Sequence, residues 1–182
     1  MPFYISMLRG INIGSHKRMK MEKLRSSFEA LGFQQVKTYI QSGNVVFQAA
    51  KLSPAALSKK IEERIITDFG FSVDVISRTR DEMDKVIKGN SFLKESGIDP
   101  SRLHVAFLSD VPTAVAVKKL QGLTIPPDQV CCSGKEIYLY FPNGFSGSSL
   151  WKHPLDRVLA VLTTTRNWNT VNQLYKMALD LG

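Results

Sequence analysis

The sequence predicts a mixed α+β protein made of two consecutive units, and three observations carry this prediction. First, the apolar run FYISML (residues 3–8) is followed by apolar residues at helical spacing. Second, Ser42-Gly43 separates two strand-like runs. Third, a strand–helix–strand–strand series starts again near residue 102. A chain of 182 residues is long enough for one large core or two small ones.

The first elements in chain order are a strand, a helix and a hairpin. Residues 3–8 form the strand, and RGINIGSHKR follows as a glycine-bearing loop. Met21, Leu24 and Phe28 recur at helical spacing, and Gly32 supplies the C-terminal stop. VKTYIQ and NVVFQ then flank Ser42-Gly43, where glycine permits the positive φ of a tight turn.

A second helix and a fourth strand complete the first unit. Ser53 is expected to cap this helix, with Pro54 in its first turn. FSVDVIS is the fourth strand, and Thr79 and Glu82 have the spacing of a capping box that opens a third helix. Residues 1–78 therefore give a ferredoxin-like βαββαβ unit, and residues 79–101 a helical connector.

Residues 102–182 give a second α+β subdomain. RLHVAFLS is a strand, 112–120 a short helix, and QVCCS and KEIYLYF a hairpin that turns at Gly134. Two helices follow, and Thr165, three residues before Trp168, is expected to cap the last one. The order is βαββαα, a partial ferredoxin-like unit whose closing strand is replaced by a helix.

Several classes of protein lack support in the sequence. No apolar run reaches the roughly 20 residues that span a bilayer, and the first residues do not have the pattern of a secretory signal. Cys131 and Cys132 are adjacent and there is no CxxC pair, so we expect a cytoplasmic protein without disulfide, metal or cofactor. GINIGSHK has only three residues between its glycines and therefore fails the phosphate-binding P-loop pattern.

Positive charge is concentrated near the start of the chain. The net charge is +8, and residues 9–25 hold six Lys or Arg against the single Glu22, a local excess of +5. Such a segment attracts phosphate-bearing ligands, including nucleic acid. A solvated helix face without a ligand is the alternative.

Two polar segments are expected to meet at one end of the first sheet. The first and second strands of a ferredoxin-like unit run in the same direction, so the loop after the first lies beside the turn after the second. We predict a ligand-binding cluster there of Arg9, Gly10, Asn12, Gly14, Lys17, Gln41, Ser42 and Asn44. Backbone amides and cations suit an anion. The alternative is that the glycines only permit turns and the asparagines bond their own backbone.

A third polar segment, TTTRNWNT (residues 163–170), adds Thr165, Arg166 and Asn167 to the predicted ligand-binding residues. A helix N-terminus exposes unpaired N–H groups and the positive end of its dipole, which suit an anion. Arg166 in a first helical turn opposes that dipole unless an anion offsets it. The alternative is a purely structural cap.

The motifs together resemble one family. YISMLRGINIG, MEKLRSSFEALGF, VKTYIQSGNVVF and TTRNWNTV, in this order, are similar to the bacterial domain-of-unknown-function family 1697. The resemblance implies a compact α/β protein with ferredoxin-like elements, and it implies no activity.

The sequence favours a non-enzymatic module that binds a phosphate-bearing ligand or nucleic acid through the basic loop cluster. An enzyme acting on an anionic substrate is the first alternative, with Arg9 and Arg166 holding the substrate. An interaction scaffold whose motifs are wholly structural is the second. Catalysis and oligomeric state stay open at this stage, and no membrane partner is expected.

Overall fold

The computed structural model describes residues 1–182 and contains two four-stranded antiparallel sheets with six α-helices. The chain divides into two compact units. Unit 1 comprises residues 1–85 and 173–182, and unit 2 comprises residues 86–172. The connector expected over 79–101 is thus shared between the units, and the last ten residues group with the first one.

Unit 1 is organised around β1 (Phe3–Leu8), which pairs antiparallel with β3 (Asn44–Gln48) and β4 (Val75–Thr79). The fourth strand, β2 (Gln34–Tyr39), pairs with β3, so the strand order is β2-β3-β1-β4. The helices are α1 (Met21–Glu29) and α2 (Pro54–Phe69), and α3 (Arg80–Lys88) begins in unit 1 and ends in the first residues of unit 2. Since β1 and β2 are both antiparallel to β3, they run in the same direction.

An apolar core joins the sheet of unit 1 to α1 and α2. Phe47 of β3 lies at its centre, with its ring edge-to-face against Phe28 of α1 at 5.1 Å and stacked on Phe33 at 4.7 Å between centroids. Offset and edge-to-face ring pairs stabilise a core beyond the area that they bury. The core therefore holds α1 against the sheet through Leu24 and Phe28.

The local capping signals of unit 1 are confirmed. Ser53 Oγ accepts a hydrogen bond from the Ala56 amide at 3.2 Å, and Pro54 begins α2. Thr79 and Glu82 form the reciprocal pair of a capping box at the start of α3. These interactions span three residues, which is why the sequence alone reveals them.

Unit 2 has the same strand order when each strand number is raised by four: β6-β7-β5-β8. Its elements are β5 (Leu103–Leu108), α4 (Ala114–Leu123), β6 (Gln129–Ser133), β7 (Glu136–Tyr140), α5 (Leu155–Leu159) and β8 (Thr163–Asn167). The last helix, α6 (Trp168–Asp180), begins in unit 2 and continues into the residues of unit 1 from 173 onward. The core of unit 2 packs apolar residues of β5 and β7 against α4 and α5. None of the six helices is long and apolar enough to cross a bilayer.

The βαββαα order expected for the second half is wrong, because residues 163–167 form the closing strand β8. This strand pairs with β5 from His104–Asn167 to Leu108–Thr163. Both closing strands carry a buried arginine as their fourth residue, Arg78 in β4 and Arg166 in β8, and a helix follows each strand directly. The two units thus correspond at the level of a residue as well as of strand order.

Candidate functional site

The loop that follows β1 folds back on itself near its tip. Asn12 N donates to the Lys17 carbonyl at 3.1 Å, and His16 N donates to the Ile13 carbonyl at 3.2 Å. Gly10, Asn12, Gly14 and Lys17 all have positive φ, which lets the chain reverse within a few residues. The loop therefore has a defined conformation that its own backbone hydrogen bonds maintain.

Asn12 fastens this loop to the β2–β3 turn. Its Nδ2 donates to the carbonyls of Gln41 at 2.9 Å and Met19 at 3.0 Å, and its Oδ1 accepts from the Met19 amide at 2.7 Å. The expected meeting of the two segments is present. Because both amide hydrogens of Asn12 are engaged, its contribution to the site is to hold the loop against the turn.

The turn itself is packed against β1 and the loop. Leu8 N donates to the Gly43 carbonyl at 2.8 Å, and a Cβ at Gly43 would lie 2.7 Å from Ile11 Cδ1. Asn44 is fully buried, and its Nδ2 donates to the Tyr39 carbonyl at 3.1 Å and to Ser42 Oγ at 2.9 Å. Asn44 and Ser42 therefore support the turn from inside.

An open cleft of about 780 Å³ lies between the loop, the turn and the start of α1. We call it the loop–hairpin cleft; its lining residues are Asn12, Arg18, Met19, Lys20, Met21, Glu22 and Gln41. Its volume falls within the roughly 300–1,000 Å³ of ligand pockets. All of its lining residues belong to unit 1.

The start of α1 forms one wall of this cleft. Lys20 is the N-cap residue, with extended φ and ψ and no side-chain hydrogen bond to the helix, and Met21 and Glu22 are the first helical residues. The first N–H groups of a helix have no intrahelical partner and carry the positive end of the dipole. The cleft therefore combines these amides with the exposed side chains of Arg18 and Lys20.

Arg18 and Lys20 were not among the residues singled out from the sequence, although both lie in the basic stretch 9–25. Of the residues that were, Asn12 and Gln41 line the cleft. Arg9 instead lies 3.9 Å from Asp74 Oδ2, and Lys17 Nζ donates to the Ser72 carbonyl at 2.7 Å. The glycines Gly10 and Gly14 shape the loop. Their place in the sequence could have identified them, because Arg18 and Lys20 lie within three residues before the first residue of α1.

The third segment lies in unit 2, in β8 and at the start of α6. Thr165 is not the cap of α6, because it is paired in β8, and Asn167 Oδ1 accepts the Thr170 amide at 2.8 Å instead. Arg166 is buried and donates to Thr164 Oγ1 at 2.8 Å and to the Thr165 carbonyl at 3.0 Å. Burial lowers the pKa of Arg166 to about 10. Arg166 lies in β8, where it pairs with Val105, and the expectation that it lies in the first turn of a helix is wrong.

Two tyrosines on β7 are buried as well. Tyr138 OH donates to the Val86 carbonyl at 2.9 Å, and burial raises the pKa of Tyr138 to about 12. Tyr140 stands 6.2 Å from Phe92 between ring centroids. Neither ring offers an open face to a nucleobase. No three His, Cys, Asp or Glu side chains are grouped so that they could hold a metal ion.

Fold and site together define a mixed α+β protein with two four-stranded antiparallel sheets and a basic cleft at one sheet end. The chain belongs to the family described as "Protein of unknown function (DUF1697)", whose model matches residues 1–138. The family resemblance of the sequence motifs is thereby confirmed. The segment TTRNWNTV lies beyond the matched residues.

A solved structure has the same fold. It is described as "The structure of conserved bacterial protein SP0830 from Streptococcus pneumoniae", and it is 21% identical in sequence with a TM-score of 0.78. The match covers 97% of this chain and 98% of that one. No functionally curated protein matches the chain.

Proposed function

We propose that this protein binds a phosphate-bearing ligand in the loop–hairpin cleft. The observation that carries the proposal is the placement of Arg18 and Lys20 beside the uncapped N-terminus of α1 in one cleft. A phosphate oxygen accepts hydrogen bonds from helix N–H groups, and its charge is stabilised by the dipole and by the two cations. Glu22 is the one carboxylate in the lining.

The shape of the cleft supports recognition of a ligand rather than a diffuse attraction. Asn12 ties both sides of the cleft through three hydrogen bonds, so the backbone that lines the cleft is held in place before a ligand arrives. Arg18 uses NH1 to donate to the Gly14 carbonyl at 3.0 Å, which orients its guanidinium. The planar guanidinium suits paired hydrogen bonds to phosphate.

The proposal is tested by salt-dependent binding of a short fluorescein-labelled single-stranded oligonucleotide. The variant Arg18→Gln/Lys20→Gln should bind more weakly, and the slope of log K against log salt should fall by about 1.4 if each cation meets one phosphate of a single strand. Fluorescence anisotropy at several salt concentrations measures both quantities. Isothermal titration with inorganic phosphate separates a small anion from a polymer.

The matched control is Lys37→Gln/Lys59→Gln, which removes the same charge from exposed positions outside the cleft. Its affinity should stay close to that of the unchanged protein. Equal losses in both double variants would assign binding to net charge and refute a site in the cleft. Absence of binding of either probe at low salt would refute the proposal as a whole.

We propose in addition that each unit is a ferredoxin-like unit. The strand orders β2-β3-β1-β4 and β6-β7-β5-β8, with antiparallel pairing at every neighbour, support this assignment. In this arrangement the loop after the first strand and the turn after the second meet, which is where the loop–hairpin cleft lies.

A further inference from the structure

Unit 2 contains a cavity of its own, of about 440 Å³, between two loops. One loop is the turn before β6 and the other is the glycine- and serine-rich segment that follows β7. We call this cavity the Trp151 pocket; the lining residues that matter here are Pro126, Pro127, Asp128, Asn143, Trp151 and Lys152.

Asp128 ties the two loops together. Its Oδ2 accepts hydrogen bonds from Ser148 Oγ at 2.9 Å, from the Ser149 amide at 2.8 Å and from Ser149 Oγ at 3.0 Å. Ser149 Oγ in turn accepts the Ile125 amide at 3.1 Å. The walls of the pocket are therefore fixed before a ligand binds, which reduces the entropy lost on binding.

The same carboxylate has acceptor capacity left over. All three hydrogen bonds end on Oδ2, while Asp128 is only 6% exposed and lines the pocket. A carboxylate can accept hydrogen bonds on both of its oxygens. Oδ1 is therefore left to accept a hydrogen bond from a ligand in the pocket.

An aromatic face and a cation complete the pocket. Trp151 is 56% exposed, and its ring stands edge-to-face against Phe145 at 5.2 Å between centroids. This contact steadies the indole while leaving surface on which a planar ring can stack. Lys152 is exposed and lines the same cavity.

From this set we infer that the Trp151 pocket binds a nucleotide whose base carries an exocyclic amine. The base stacks on Trp151, its amine donates to Asp128 Oδ1, and Lys152 pairs with the phosphate. A neutral sugar would leave Lys152 without a role, and a cationic amine would be repelled by it. A nucleotide of this kind uses all three groups.

The test compares ligands that differ by one group. AMP is titrated by isothermal calorimetry beside purine riboside 5′-monophosphate, which lacks only the amine, and beside adenosine, which lacks the phosphate. We expect AMP to bind about tenfold more tightly than the analogue without the amine. Trp151→Ala should weaken AMP binding by roughly tenfold to a hundredfold, and Trp151→Phe should retain most of it.

Asp128→Asn is the sharpest variant because it retains an oxygen that can accept the hydrogen bonds between the two loops. The asparagine carbonyl can accept the three hydrogen bonds that Oδ2 accepts now, while its amide presents a donor in place of the acceptor. AMP should therefore lose affinity, and purine riboside 5′-monophosphate should bind as before. An unchanged urea midpoint confirms that the variant is folded. Lys152→Gln should weaken AMP but not adenosine, with Lys118→Gln on α4 as the matched control.

Three results would overturn the inference. The first is equal affinity for AMP and its amine-free analogue, and the second is tighter binding of a neutral disaccharide than of AMP. The third is AMP binding that survives Trp151→Ala but is lost in Arg18→Gln/Lys20→Gln, because that result assigns the nucleotide to the loop–hairpin cleft. Failure of this inference and of the proposed function are thus separable.

Discussion

Replacing Gly43 by alanine tests how closely the β2–β3 turn packs against Leu8 of β1 and Ile11 of the following loop. The added Cβ would lie 2.7 Å from Ile11 Cδ1 and 2.8 Å from Leu8 Cβ, and the residue has φ +81°. A left-handed conformation costs an L-residue about 1–2 kcal/mol, and overpacking a core costs about 1–3 kcal/mol. We therefore expect Gly43→Ala to lower the free energy of unfolding by about 2–5 kcal/mol.

Gly32→Ala is the matched control, because Gly32 has the same φ of +81° and no atom within 4 Å of its Cβ position. It should cost only the conformational part, about 1–2 kcal/mol. Urea unfolding measures both free energies, and the melting temperature of Gly43→Ala should fall by about 4–20 °C. Equal destabilisation by the two substitutions would refute the close packing of the turn against Leu8 and Ile11.

Two further predictions concern unit 2. Asn167→Ala removes the cap of α6 and should cost about 1 kcal/mol in urea unfolding, with a smaller loss for Thr165→Ala; a larger loss at Thr165 would contradict the corrected assignment. Burial lowers the pKa of His104 below its ordinary 6.5, because the folded protein disfavours the charged imidazole. The free energy of unfolding therefore has its full value above pH 6.5 and decreases as the pH falls below 6.5, where the unfolded chain binds a proton more readily than the folded one. His104→Gln should therefore reduce the difference between urea midpoints measured at about pH 7.5 and about pH 5.5. An unchanged difference would show that other groups cause the pH dependence.

The sequence anticipated the elements whose signals are local. Ser53 and the Thr79–Glu82 pair satisfy helix N–H groups only three residues away, so their roles can be inferred without knowing the fold. The turn at Ser42-Gly43 follows from the need for positive φ, and Gly43 has it. Local chemistry was sufficient in each case.

Residues 163–167 were assigned wrongly because local sequence patterns do not reveal a distant strand partner. Thr165 precedes Trp168 at a plausible capping distance, yet residues 163–167 extend as β8 because β5, about 60 residues earlier, supplies their hydrogen-bond partners. Once the strand extends to Asn167, the capping role passes to that side chain. A pairing at such sequence separation leaves little trace in a local pattern.

Some features of the loop–hairpin cleft could be inferred from the sequence, and others depended on the fold. The excess of positive charge in residues 9–25 and the approach of the loop to the turn could be inferred from composition and strand direction. Which cations face the cleft could not be inferred, because that depends on where the core places the start of α1. Arg18 and Lys20 line the cleft, whereas Arg9 and Lys17 contact the segment before β4.

The sequence by itself determined the family, the mixed α+β class, the basic character and the N-terminal caps of α2 and α3, since each depends on residue identity or on neighbours within one turn. Only the tertiary structure decided which backbone carbonyls Asn12 and Asn44 bind, that Arg166 is a buried strand residue, and that Asp128 and Trp151 line one pocket. The physical reason is that burial and hydrogen-bond partners depend on segments brought together by folding. The sequence specifies the functional groups of each residue, whereas the fold determines which other residues those groups contact.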